Sequence, residues 1–174
     1  MDADLLPIRP MSAVFETPSA HNEDGEEYLF AATYDSAGVR DFGKFTRPIP
    51  NLGPSDTSAA SEINAGLFLL QPSERQAAYV QSIYNDVSVS QHFTDMMEQG
   101  LLRYAYRDDG KYPWIRLSQM YNTQWPRLQD LDVSRAVHDK MWKDDSPVNW
   151  ELRRFWYFAW GEMRGWASNR EGGE

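Results

Sequence analysis

Residues 62–70 read Glu62-Ile63-Asn64-Ala65-Gly66-Leu67-Phe68-Leu69-Leu70 and lead into Gln71-Pro72-Ser73-Glu74-Arg75-Gln76. A continuous apolar run without polar alternation is the pattern of a strand buried on both faces, as the central strands of α/β sheets are. Ser73 with Gln76 three residues later forms a capping box, in which each side chain satisfies an orphan amide of the first turn. A helix through Tyr84 follows, with Gln76, Val80, Ile83 and Tyr84 along one face. Leu29 to Tyr34 reads as a second short apolar strand, and Leu5 to Ile8 as extended chain, since Pro7 and Pro10 forbid a helix there.

Downstream, Thr94 is placed to cap a second helix that runs through Leu101, Leu102 and Tyr106. Asp95 and Glu98 lie in its first turn, where the positive end of the helix dipole favours carboxylates. Lys111 to Trp125 holds turn and strand fragments rich in aromatics, and Arg135 to His138 reads as a last short strand. Ser146-Pro147 opens a final helix, serine as cap and proline at the first helical position. Its apolar stripe is Leu152, Trp156, Ala159, Trp160 and Met163, and at that spacing Trp150, Trp156 and Trp160 read as core rather than as a sugar-stacking platform. Asp35 to Ser61 is rich in Gly, Pro, Ser and Asp and reads as a long surface loop or lid. Short strands mixed with helices in this way indicate an α/β fold, with one domain over residues 1–167 and a disordered polar tail over 168–174.

Composition narrows the function. The 174 residues contain no cysteine, which removes disulfide scaffolds, cysteine metal sites and thiol catalysis. Seventeen basic against twenty-six acidic residues give a net charge of −9, and no basic cluster offsets it. Nucleic acid and anionic membranes are therefore poor partners. No apolar run reaches the roughly 18 residues of a membrane span, and the first residues lack the charged-then-apolar order of a secretory signal. Neither a nucleophile-elbow motif nor a phosphate-binding loop is present.

The opening Met1-Asp2-Ala3-Asp4 carries two carboxylates two residues apart, which an extended chain projects to one side. Two such oxygens suit a hard divalent cation, and His138 is a candidate third ligand. Spacing alone equally allows a solvated acidic pair and a structural histidine. Likewise, Asn64 beside Gly66 allows a turn or bulge, and Asp95 with Glu98 a simple helix cap. His21 and His92 sit in polar contexts and receive no role.

Several blocks in order resemble glycosyltransferase family 8, the glycogenin-like enzymes in their fungal form. The start MDADLLPIRPMSAVFETP is similar to the family's aspartate–x–aspartate metal strand. Ile63 to Ser73 resembles its Asn-[Ser/Ala]-Gly strand with the following Pro-Ser helix start. Asp95-Met96-Met97-Glu98-Gln99-Gly100-Leu101-Leu102 is similar to its D-x-x-D-Q-G-L-L-N helix. Trp114 with Tyr121-Asn122, and Val137-His138-Asp139-Lys140-Met141-Trp142-Lys143, match two further segments. The resemblance implies a GT-A fold, that of the nucleotide-diphospho-sugar transferases, and a metal-dependent retaining hexosyltransferase that uses a UDP-sugar donor and manganese. It implies Asp2, Asp4 and His138 as metal ligands. Asn64, Ala65, Gly66, Lys140 and Lys143 would then contact the donor, and Asp95, Glu98 and Gln99 would face the reacting sugar. A glycan or protein would be the acceptor, and the cytoplasm the compartment.

The chain departs from the family pattern in three places: Glu98 stands where it has aspartate, Arg103 where it has asparagine, and the block around His138 lacks the family's glycine and Lys-Pro-Trp spacing. The family's nucleoside-binding half would also precede the acidic motif. The chain is therefore expected to be a C-terminal portion of such an enzyme, with activity weak or absent. A non-catalytic remnant that binds or interacts is the alternative from another class, and an unrelated α/β domain a third.

Overall fold

The structure is a computed structural model that describes residues 4–35, 40–41, 44–45, 63–89, 97–126, 128–139, 153–154 and 156–162. It is mixed α/β. The strands are β1 (Leu5–Pro7), β2 (Ala20–His21), β3 (Glu27–Tyr28), β4 (Phe30–Tyr34), β5 (Arg40–Asp41), β6 (Lys44–Phe45), β7 (Ile63–Leu70), β8 (Ile115–Arg116), β9 (Thr123–Gln124) and β10 (Ala136–His138). The helices are α1 (Glu74–Tyr84) and α2 (Met97–Ala105), and a further helical stretch covers 156–162. No described helix is long and apolar enough to cross a membrane.

Two three-stranded sheets position everything that follows. One has the order β7-β4-β8, with β7 antiparallel and β8 parallel to β4; the other has the order β1-β10-β9. The apolar run of residues 62–70 does form a strand, and the proline-serine step after it does begin α1 at Glu74. Its place in the sheet is different from the expected one: among the described residues β7 pairs only with β4 and forms the edge. An edge strand can still read as a buried one because α2 covers it; Arg103 Nε donates to Ile63 O at 2.8 Å and the amide of Ala65 donates to Gln99 Oε1 at 2.8 Å. The backbone groups that a neighbouring strand would satisfy are met by side chains instead.

Four smaller expectations change. The capping box is half made: Ser73 Oγ accepts from the Gln76 amide at 3.3 Å, but the Gln76 side chain turns to Gln71 O at 3.5 Å. Tyr84, assigned to the packed face of α1, is 60% exposed. Within the long loop, β5 and β6 form a short antiparallel ladder; the rest of it lies outside the described residues. Of the final aromatic stripe, Trp156 packs on Val137, whereas Trp160 stacks on Trp156 and stays 44% exposed. Leu152, Trp150, Met163, the 146–147 cap and the 168–174 tail also lie outside the described residues.

The main core gathers Tyr28, Phe30, Ala32, Tyr34, Ile83, Tyr106, Tyr112 and Trp114 between the β7-β4-β8 sheet and the two helices. Phe30 and Tyr106 stack with centroids 3.7 Å apart. β4 alternates: Phe30, Ala32 and Tyr34 face this core, while Ala31 packs with Val14 and Leu117 on the opposite side.

Candidate functional site

The opposite side of β4 carries the polar cluster. β1 and β10 pair antiparallel with Leu5 opposite His138, so Asp4, one residue before β1, arrives at the His138 end of the ladder. The Asp139 amide donates to Asp4 O at 3.3 Å and holds the chain there. His138 Nε2 then lies 3.1 Å from Asp4 Oδ1, across 134 residues of sequence, with both side chains 13% exposed. The other ring nitrogen, Nδ1, is 2.8 Å from Asn122 Oδ1. Asn122 Nδ2 donates to Thr33 Oγ1 and to Asn64 Oδ1, each at 2.8 Å, and Asn64 Oδ1 also accepts from the Gly66 amide at 3.0 Å.

A bulge in β7 makes this possible. Ala32 pairs with Phe68 and Thr33, the next residue of β4, pairs with Asn64. Ala65, Gly66 and Leu67 thus stand between consecutive partners, and their backbone is re-aimed. The freed amides of Ala65 and Gly66 turn to the side chains of Gln99 and Asn64. Gly66 is brought against the imidazole so closely that a Cβ on it would lie 2.2 Å from His138 Cε1. Only glycine lets the ring occupy that space. The glycine of the Asn-x-Gly motif therefore has a structural reason: it admits His138.

Trp125 follows β9 with φ of 45°, a left-handed conformation that a bulky residue seldom adopts, and its amide donates to His138 O at 3.1 Å. Gln99, from the first turns of α2, spans Ala65 and Asp35, reaching Asp35 Oδ2 at 3.4 Å. Asp35 is also ion-paired with Arg103, so the residue that stands in place of the family's asparagine ties α2 to the end of β4. Glu98 is exposed at the start of α2. Asp2, Asp95, Lys140 and Lys143 lie outside the described residues, and among the described residues no third His, Asp or Glu converges on Asp4 and His138.

The Asp4–His138 contact is a hydrogen bond or ion pair at 3.1 Å, and the same two atoms could instead hold one divalent cation. Two donors bound at about 2.1 Å to one ion, at right angles, are about 3.0 Å apart. One carboxylate oxygen and one imidazole nitrogen at 3.1 Å match that separation. The second ring nitrogen is held by a buried amide, as the outer nitrogen of a ligating histidine usually is. Thr33, Asn122, Asp35 and Trp125 were missed as members of the site. The Tyr121-Asn122 dipeptide was a sequence signal, but it gave no partner; Thr33 had none, because it reads as one more residue of an apolar strand.

A separate cavity of about 890 Å³ opens between β7, α1 and α2, lined by Phe68, Leu70, Val80, Leu101, Leu102 and Tyr106 among others. It extends the aromatic core and holds none of the candidate site residues.

Fold and site together define an α/β protein with a buried polar cluster that joins Asp4 to His138 through the interior. Two uncharacterized proteins of Schizosaccharomyces pombe are similar to it. Each is 30% identical, over 192 and 196 residues, covering 94% of this chain. The chain spans about half the length of these curated relatives, 49% and 50%. No family model matches, and no solved structure does.

Proposed function

We propose that the chain carries the metal- and donor-binding portion of a glycogenin-like retaining hexosyltransferase of GT-A type. The observation that supports this reading is the meeting of Asp4 and His138, at the two ends of the resemblance, at a separation suited to one ion. Asp2, Asp4 and His138 would hold manganese, which when bound supplies a Lewis acid for the diphosphate of a UDP-sugar. The chain's own residues do the rest. Lys140 or Lys143 would bring positive charge to the oxygens on which negative charge builds as the nucleoside diphosphate leaves. Asn64, Ala65 and Gly66 offer a rigid backbone to the donor hexose, fixed by the bonds of Asn64 and Gln99 described above. Glu98 and Gln99, at the start of α2, and Asp95 before them in sequence would hydrogen-bond sugar hydroxyls and face the anomeric carbon. A glycan or protein hydroxyl accepts the hexose.

Calorimetry of the full chain tests the reading. Manganese and UDP are expected to bind in a coupled manner, UDP binding tightening when the metal is present. UDP binding that is indifferent to manganese, or absent with it, contradicts the proposal.

A further inference from the structure

The bonds around Asn122 determine which nitrogen of His138 carries the proton. The starting point is the Gly66 amide, a backbone N–H that only donates; it lies 3.0 Å from Asn64, so the Asn64 atom there is the acceptor Oδ1. Asn122 approaches the same Oδ1 at 2.8 Å and must do so with its NH₂ group. That leaves the carbonyl Oδ1 of Asn122 for the His138 ring, at 2.8 Å. A carbonyl oxygen accepts, so the proton is on Nδ1. In the neutral ring Nε2 then carries the lone pair, aimed at Asp4 Oδ1. Thr33 Oγ1 takes the other Asn122 proton at 2.8 Å, and both Asn122 and Thr33 are fully buried. The Asn122 amide therefore cannot turn over without losing several bonds that water would not replace. With Nδ1 protonated, Nε2 bonds Asp4 Oδ1 when it too carries a proton and offers its lone pair to a cation when it does not.

We infer that Asn122 is a positioning residue which, through its bonds to Thr33 and Asn64, keeps a proton on Nδ1 of His138 and leaves Nε2 turned toward Asp4. The metal-binding consequence rests on the function proposed above; the tautomer does not.

The two parts are separated by one set of samples. The full chain is labelled with ¹⁵N-histidine, freed of metal, and studied by long-range ¹H–¹⁵N correlation at a pH where the ring is neutral. The His138 signals are those lost in His138→Gln. Wild type is expected to show a protonated Nδ1 and an unprotonated Nε2. Asn122→Ala is expected to lose that pattern, and Asn122→Asp, which keeps an oxygen facing Nδ1, to retain it. Where manganese binds, Asn122→Ala is expected to weaken it 10–100-fold. A wild-type ring protonated at Nε2, a measurement that needs no variant, overturns the inference; so does an unchanged tautomer in a folded Asn122→Ala. A wild-type chain with the expected tautomer whose His138 signals are untouched by added manganese sinks the metal reading and leaves the role of Asn122 standing.

Discussion

The two faces of β4 have opposite chemistry. Phe30, Ala32 and Tyr34 face an aromatic core in which rings stack and cross at 3.7 to 5.8 Å. Thr33, one residue over, faces Asn122, and through it Asn64, His138 and Asp4. The first face is stabilised by area removed from water, a non-directional effect that accepts many ring arrangements. The second buries a smaller aliphatic cluster around Ala31, Val14 and Leu117, and the polar network beside it depends on each donor meeting one acceptor in a place without water. One strand thus supplies stability on one side and a rigid, specified polar geometry on the other.

Substitutions on each face should separate these roles. The largest effect is expected from Phe30→Ala on the aromatic side, about 3–5 kcal/mol of stability lost, read from urea unfolding, because a fully buried ring leaves a cavity. A loss under about 1 kcal/mol would mean that the aromatic face is not where the fold is held. Thr33→Val, nearly isosteric, removes only the hydroxyl that accepts from Asn122 and should cost about 1–2 kcal/mol. It should also loosen the proposed manganese binding, whereas Phe30→Leu, if folded, should not; equal effects on the metal from both would erase the proposed division.

The smallest expected effect brings pH into the aromatic side. Burial pushes the hydroxyls of Tyr106 and Tyr112 up to about 12, with the bond from Tyr112 to Glu26 adding to the second. Unfolded tyrosine titrates near 10, so between these values the unfolded chain has given up protons that the folded chain keeps. Their contribution is complete below about pH 10 and is lost as pH rises toward 12. Tyr112→Phe should cost about 1 kcal/mol at neutral pH and flatten the alkaline decline of the urea midpoint. A decline of the same steepness in the variant would move its cause away from Tyr112.

What was legible in the sequence divides along the same line. β4, β7, α1 and β10 were readable because an apolar run, a serine cap and a proline act within a few residues of each other. The edge position of β7 was not, because the same letters describe a strand covered by strands and one covered by Arg103 and Gln99. The bulge at Ala65–Leu67 was legible as one reading of Asn64 beside Gly66, though not its extent. Asp4 and His138 were singled out through a family pattern. The residues that hold them in place were not, since Asn122 reaches its partners across 16, 58 and 89 residues. Hydrogen-bond networks of that span leave no periodicity to read.

In the proposed function Asp4 and His138 grip one divalent ion. Titration of manganese into the full chain, followed by its electron spin resonance, tests this most directly when Asp4→Ala and His138→Ala are compared with wild type. The account predicts a bound fraction in wild type that falls at least tenfold in affinity in either variant while both remain folded. Manganese binding that is the same in all three proteins would contradict it.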